Sequence, residues 1–180
     1  MFETVFVPPQ RGRADRVVHY RNTALKIIDF AVQGQFRATG NETTTDGVGA
    51  SLQFRILPGL KAGGTYTRTN WSPTQRRLIR GLGGDADYMA LGTRLDWRML
   101  ELGFVYSHQH NGDLVQIPIS IPGVPDVLTP VAFDSNGFEV YARAGVKKFG
   151  LILGFISQDP VVQDPLLNPD FRTRYLILGA

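Results

Sequence analysis

The sequence contains no cysteine among its 180 residues. Disulfide bonds, cysteine-ligated zinc, iron–sulfur clusters and thiol catalysis are therefore excluded. It also lacks any apolar run approaching the ~18–20 residues that a membrane-spanning helix requires. Apolar residues make up 43% of the chain, yet the mean hydropathy is only -0.09 because they are dispersed. These absences exclude a helical membrane protein but are compatible with a transmembrane β-barrel, whose alternating strands average to near-neutral hydropathy.

The chain is mildly basic, with 19 Lys and Arg residues against 16 Asp and Glu residues. The basic residues are adjacent only at Arg76-Arg77 and Lys147-Lys148, and no basic stripe interleaved with aromatics predicts a nucleic-acid partner. Residues 1–9 have neither the basic n-region nor the apolar h-region of a signal peptide. Taken alone, this start favours a cytoplasmic protein. Together with the strand pattern described next, it predicts that the signal peptide is absent from this chain.

The dominant pattern is an alternation with period two, which is typical of strands with one apolar and one polar face. At 28–37 the apolar positions are Ile28, Phe30, Val32, Gly34 and Phe36. The same alternation occurs at 48–56, 88–97, 100–108 and 138–146, and in weaker form at 13–22, 60–68, 151–157 and 172–180. The pattern predicts nine strands of roughly 8–11 residues, the length that crosses a bilayer at a tilt. No helix longer than a turn or two is expected.

The links between these strands alternate between short and long. The short links are 23–24, 57–59, 98–99 and 147–150, and the long links are 38–46, 69–86, 109–136 and 158–171. Outer-membrane barrels carry short turns at one end and long loops at the other. In lipid every backbone polar group must be paired, so a membrane sheet must close. The sequence therefore predicts an all-β, antiparallel up-and-down transmembrane β-barrel, of which these nine strands are one part.

Three motifs carry a family resemblance. They are the segment Arg13–Asn22 (RADRVVHYRN), the stretch Phe30–Gln33 (FAVQ) and the stretch Asp46–Ser51 (DGVGAS). In these motifs the chain resembles the general, trimeric outer-membrane porins of Gram-negative bacteria. The motif match covers about residues 13–70, and a similar strand rhythm continues to the end of the chain.

The resemblance implies a barrel of 16–18 strands around an aqueous channel, narrowed where an acidic third loop faces arginines on the wall. It places residues 1–12 in the tail of that loop and 13–180 in barrel strands and loops, as one partial barrel domain. Matched position by position, Arg13 and Arg21 fall on arginines of the pore constriction. The N-terminal strands, the signal peptide and the usual aromatic C-terminal residue of the family are missing, so the chain is expected to be a fragment.

Strand parity predicts a set of further lumen-facing residues. They are Asp15, His19, Asp29, Gln33, Gln35, Arg37, Gln53, Arg55, Arg94, Asp96, Glu101, Glu139 and Arg143. We expect passive diffusion of small hydrophilic solutes and ions, with a mild anion preference from the excess of basic residues. No enzymatic activity, cofactor or metal is expected. The expected partners are outer-membrane lipid, the solutes themselves and further copies in a homotrimer.

Other interpretations of the sequence stay open. A sugar- or anion-selective porin, a soluble all-β binding module and a non-transporting structural barrel are the alternatives. His108 and His110 share a strand face but lack a third metal ligand nearby, and the glycines at 81–84 lack the strand–loop–helix context of a phosphate loop. The apolar link 109–136 is expected either to fold against the barrel or a neighbouring subunit, or to be a plain loop with a short β-ribbon. Candidates for aromatic belts at the membrane interfaces are Tyr66, Trp71, Trp97, Tyr106, Tyr141 and Tyr175.

Overall fold

The computed structural model describes residues 17–23, 26–36, 46–82, 84–119, 127–146, 149–161 and 172–179. These residues form one antiparallel sheet in which nine strands follow one another in sequence order. The strands are β1 (Val17–Asn22), β2 (Ile28–Gln35), β3 (Asp46–Leu57), β4 (Leu60–Asn70), β5 (Ala86–Trp97), β6 (Leu100–Ile119), β7 (Val127–Val146), β8 (Phe149–Val161) and β9 (Thr173–Gly179). The prediction of an all-β, antiparallel up-and-down fold is therefore confirmed.

A single short helix, α1 (Pro73–Leu78), interrupts the strands of the described chain. It lies in the predicted long link between β4 and β5. Among the residues with assigned structure, no helix has the length and apolar character needed to span a membrane. Each strand pairs only with its neighbours in sequence, and within the described ranges no pairing joins β1 to β9. The sheet is consequently open along both of these strands.

The prediction that residues 109–136 form a loop is wrong over most of the described part of this range. β6 continues to Ile119 and β7 begins at Val127, and the two strands pair as far as Ile119↔Val127. The register slips between Gln109 and Asp113, where Asn111 adopts a left-handed φ of 52°. This bulge ends the regular alternation that marks a strand in the sequence. The plain loop is therefore wrong, and the β-ribbon expected within it is long rather than short.

The two-residue turns mark one end of the sheet, which we call the short-turn end. β3 and β4 are joined through Gly59, whose φ of +87° requires glycine. Its carbonyl accepts a hydrogen bond of 2.7 Å from the backbone N–H of Asp96, which ties this turn to β5. The link between β1 and β2 is longer than predicted, because β2 begins only at Ile28. The opposite end of the sheet, where β4 leads into α1, is called the long-loop end.

From β1 to β7 the sheet has two chemically distinct faces, which can be followed because directly opposed residues share a face; on β8 and β9 the distinction is lost, since the exposed Ile152 and Ile177 lie in the same register as the polar residues. One register row runs across all nine strands: Arg21, Ala31, Ser51, Thr65, Ala90, Ser107, Gly137, Gln158 and Thr173. We call the face that carries this row the polar face. The other, the apolar face, carries large exposed side chains: Val18, Val32, Val48, Leu52, Phe54, Leu91, Phe104, Val140, Leu153 and Leu176.

Tyr141 lies across Gly103, the residue directly opposite it on β6. A Cβ added at Gly103 would overlap the Tyr141 ring. The ring is held there because its hydroxyl donates a 2.8 Å hydrogen bond to Glu101. We expect Gly103→Ala to push the ring aside and to lower the free energy of unfolding by about 1–3 kcal/mol, the usual cost of overpacking. Thermal unfolding in detergent measures this. Gly84→Ala is the control, since a Cβ at Gly84 meets nothing within 4 Å, and equal effects of the two substitutions would contradict the expectation.

Candidate functional site

The polar face holds a cavity of about 370 Å³ that is open on one side. It is lined by His19, Arg21, Asp29, Phe30, Ala31, Ser51, Leu52, Gln53, Gly63, Gly64, Thr65, Thr67, Tyr88, Ala90, Leu91, Gly92 and Val105. Most of these side chains are small or polar, and two of the glycines, Gly63 and Gly92, stand directly opposite each other on β4 and β5. The face is therefore recessed where β4 and β5 meet, and the recess presents hydroxyls, amides and charged groups.

The register places the predicted lumen residues on this same face wherever the structure describes them. They are His19, Arg21, Asp29, Gln33, Gln35, Gln53, Arg55, Arg94, Asp96, Glu101, Glu139 and Arg143. Arg13, Asp15 and Arg37 lie outside the described residues, as does the predicted tail of the constriction loop at 1–12. A common face is a geometric fact of the sheet. The assignment of these residues to a channel lumen or constriction stays a prediction.

The carboxylates on the polar face are mostly engaged by arginines of the same face. Asp29 contacts Arg55, with Oδ2 3.1 Å from Nη2. Arg94 contacts two carboxylates, since its Nε lies 3.0 Å from Asp96 and its Nη2 lies 3.3 Å from Glu101. The pairs are partly exposed, so each contributes at most ~1 kcal/mol to stability. Their main effect is to neutralise the acidic groups of this face.

Three cations of the polar face have no ion pair within the part of the chain that the structure describes. They are Arg21, Lys61 and Arg143. Lys61 lies between Arg55 and Arg94 in one register row, Arg55↔Lys61↔Arg94. The sequence pattern missed Lys61, because the following Ala62, Gly63 and Gly64 blur the alternation at the start of β4. The sequence feature that could have indicated Lys61 is its position two residues after the turn residue Gly59.

At the long-loop end, the segment after β4 folds over the ribbon formed by β6 and β7. Arg80 forms a parallel bridge with Val131. The backbone N–H of Arg80 donates to the Pro130 carbonyl at 2.9 Å, and the N–H of Ala132 donates to the Arg80 carbonyl at 2.8 Å. Val131 and Ala132 are buried to 1% and 0% exposure. The β6–β7 ribbon is thereby fixed to the β4–β5 link.

Ionic and polar contacts support the same docked segment. The Asp85 carboxylate accepts hydrogen bonds from Arg68 and Arg76. The Asp85 carbonyl accepts a 3.3 Å hydrogen bond from the side-chain amide of Asn111, the left-handed residue of the β6 bulge. The Asn111 backbone N–H in turn donates to Asp134 at 2.8 Å. This network explains why the bulged residue is buried although it is polar.

The two histidines of the His108-Gln-His110 pair bind protein groups. His108 Nδ1 lies 2.8 Å from the Asn136 side chain, and His110 Nδ1 lies 3.0 Å from the Asp134 carboxylate. Among the described residues no group of three or more potential metal ligands occurs. The pair therefore serves as a link between β6 and β7 at the long-loop end.

The aromatic residues divide between the two faces. Trp97, Tyr66 and Tyr106 belong to the apolar face and are 37–61% exposed. Tyr141 and Tyr175 belong to the polar face, since Tyr141 opposes Gly103 and Tyr175 opposes Ile156. The candidates for an aromatic belt therefore do not all share one face of the sheet. Trp71 is buried after the end of β4.

The fold is similar to that of a known outer-membrane protein. Salmonella typhi OmpF, solved as a complex with daunomycin, superposes with a TM-score of 0.67 at 20% sequence identity. The match covers 89% of this chain and 48% of the OmpF chain, so the chain spans about half the length of that protein. No family model and no curated protein matches the sequence. The likeness shows the fold: the sheet has the architecture of part of a porin barrel wall.

Proposed function

We propose that this chain forms part of an outer-membrane channel through which small hydrophilic solutes diffuse passively. The polar face lines the water-filled lumen, and the apolar face contacts lipid. The observation that carries this proposal is the continuous run of large exposed apolar side chains on one face. Soluble monomers rarely expose contiguous apolar patches above a few hundred Å². In a membrane the same face is favourable, because barrel strands place apolar residues outward and polar residues inward.

A soluble all-β binding module is supported less well by the same face. In a β-sandwich the apolar faces of two sheets pack together about 10 Å apart. The described residues form a single sheet, and Leu52, Leu91 and Leu178 on its apolar face are 41–70% exposed. A single sheet in water would leave these side chains in contact with solvent. The alternation of short turns and long links adds to the preference for a barrel.

The charge balance of the polar face supports a mild anion preference as part of the proposal. Asp29, Asp96 and Glu101 each contact an arginine, whereas several cations of this face lack a carboxylate partner in the described part of the chain. Arginine stays protonated at every accessible pH, so Arg21, together with Arg13, would hold a permanent positive charge at the constriction. The channel acts by size and charge, without covalent chemistry, and is proposed to assemble as a homotrimer.

The first experiment is single-channel recording on the protein as its gene encodes it, refolded in detergent and added to a planar bilayer. We expect stepwise conductance that rises in proportion to KCl concentration, because the lumen is filled with water. In a KCl gradient the reversal potential should have the sign of an anion-preferring pore, and Arg21→Gln should shift it toward zero. A refolded barrel without conductance would contradict transport. A reversal potential of the cation-selective sign would contradict the anion preference alone.

A further inference from the structure

The row Arg55↔Lys61↔Arg94 sets three cations side by side on the polar face, across β3, β4 and β5. Directly opposed residues have Cβ atoms only about 5 Å apart, and like charges in such positions destabilise a sheet. The outer two are compensated, Arg55 by Asp29 and Arg94 by Asp96 and Glu101. Lys61 in the middle contacts no carboxylate among the described residues. Its charge is available to a ligand.

The row borders the recess in the wall. Gly63 follows Lys61 by two residues on β4, and Gly92 precedes Arg94 by two residues on β5, so both glycines lie on the same face about 7 Å away. Neither carries a side chain, and a Cβ at Gly63 would stand 2.6 Å from the Leu52 carbonyl oxygen. The recess at this position is therefore enforced by the backbone. A solute can approach the Lys61 ammonium over bare backbone.

We propose that Lys61, flanked by Arg55 and Arg94, forms a binding station for small oxyanions such as phosphate at the edge of this recess. Ammonium and guanidinium groups form charge-assisted hydrogen bonds to oxyanions, and rings of Lys or Arg confer selectivity on anion and phosphate pores. Gln53, on the same face, lines the recess and offers an amide. Asp29 also lines the recess, but its carboxylate is bound to Arg55.

The station is distinct from the predicted constriction. Arg21 shares a register row with Thr65. Lys61 lies four residues before Thr65 on β4, which places it about 13 Å closer to the short-turn end. The inference rests on the proposed function, since a binding station in the wall matters only if the polar face lines a pore. It adds the class of solute and the residues that select it.

Inorganic phosphate is the probe, tested on single channels carrying chloride current. Phosphate should reduce the chloride current of the wild-type channel with a saturating dependence on concentration, because a bound oxyanion delays chloride. Lys61→Gln should raise the half-effect concentration by about tenfold, the loss expected for one hydrogen bond to a charged group. Lys61→Arg, which keeps the charge, should retain the effect.

Lys26→Gln is the matched control, because Lys26 is also exposed at the short-turn end but lies in the β1–β2 link, outside the row. Lys26 contacts the row through its backbone carbonyl, which accepts a 3.2 Å hydrogen bond from Arg55 and is kept in the variant. It removes the same net charge and should leave the phosphate effect unchanged. Equal weakening by Lys26→Gln and Lys61→Gln would overturn the station in favour of general electrostatics. A phosphate-insensitive wild-type channel would overturn it too, with the pore intact. Absence of any channel would instead overturn the proposed function.

Discussion

Replacing Leu52 by arginine should destabilise the protein by about 2–4 kcal/mol when it is folded in a lipid bilayer. Leu52 is the central apolar residue of β3 and is 41% exposed on the apolar face. If that face contacts lipid, a guanidinium at this depth loses its hydration without gaining a partner, and the stated cost is typical for the bilayer midplane of outer-membrane barrels. Denaturant unfolding in phospholipid vesicles, followed by tryptophan fluorescence, gives the free energy directly.

Ser51→Arg is the matched control for Leu52→Arg. Ser51 is the preceding residue of the same strand, is exposed, and belongs to the polar face. An arginine there would stay in water, so we expect a change within about 0.5 kcal/mol, as for ordinary surface substitutions. Equal, small effects of both substitutions would mean that both faces are in water, and the membrane proposal would fall in favour of the soluble module.

Substituting Val131 by aspartate should release the segment that joins β4 to β5. Val131 is 1% exposed, and its neighbours Pro130 and Ala132 hold Arg80 through two backbone hydrogen bonds. An unpaired carboxylate in this position costs roughly 3 kcal/mol or more, and undocking is the simplest way to avoid it. The population of the open state, and the rate of cleavage that depends on it, should rise by about a hundredfold.

Trypsin reports this opening, since Arg76, Arg77 and Arg80 all lie in the released segment. Limited proteolysis of the folded protein, with mass spectrometry of the fragments, should show cleavage after these arginines in the Val131→Asp variant. Leu78→Asp introduces the same charge into the docked segment itself, at a residue that is 66% exposed, and it should leave the segment resistant. Comparable cleavage of the two variants would mean that Val131 does not fix the docking.

The architecture could be predicted from the sequence because strand parity is a local signal. The alternation at Val48, Ala50 and Leu52 requires no knowledge of neighbouring strands, and the same holds for the other four strong segments. The extension of β6 to Ile119 could not be predicted in this way. Beyond Gln109 the bulge interrupts the alternation, and Pro118 and Pro130 are turn signals by composition, although both lie in paired strands of the ribbon.

The candidate site, too, could be predicted from the sequence only in part. Parity alone places Arg55 and Arg94 on one face, so the composition of the polar face was predictable. The juxtaposition of Arg55, Lys61 and Arg94 depends on the relative register of three strands, and register is set by turns and bulges such as the one between Arg55 and Leu57. Likewise, the contact between Arg80 and Val131 joins residues 51 positions apart, and no local pattern encodes it.

The sequential strand order also has a consequence for how the chain acquires its structure. Every strand bonds only to the strand before and the strand after it, so the loop that must close for each new pairing is short. Loop-closure entropy is then small at each step, and a sheet built from neighbouring hairpins has a low contact order for its size. β6 and β7, which share the longest pairing, with Leu100↔Ala144 near one end and Ile119↔Val127 at the other, are the natural hairpin to form first. Assembly can then spread outward from this hairpin in both directions, one strand at a time.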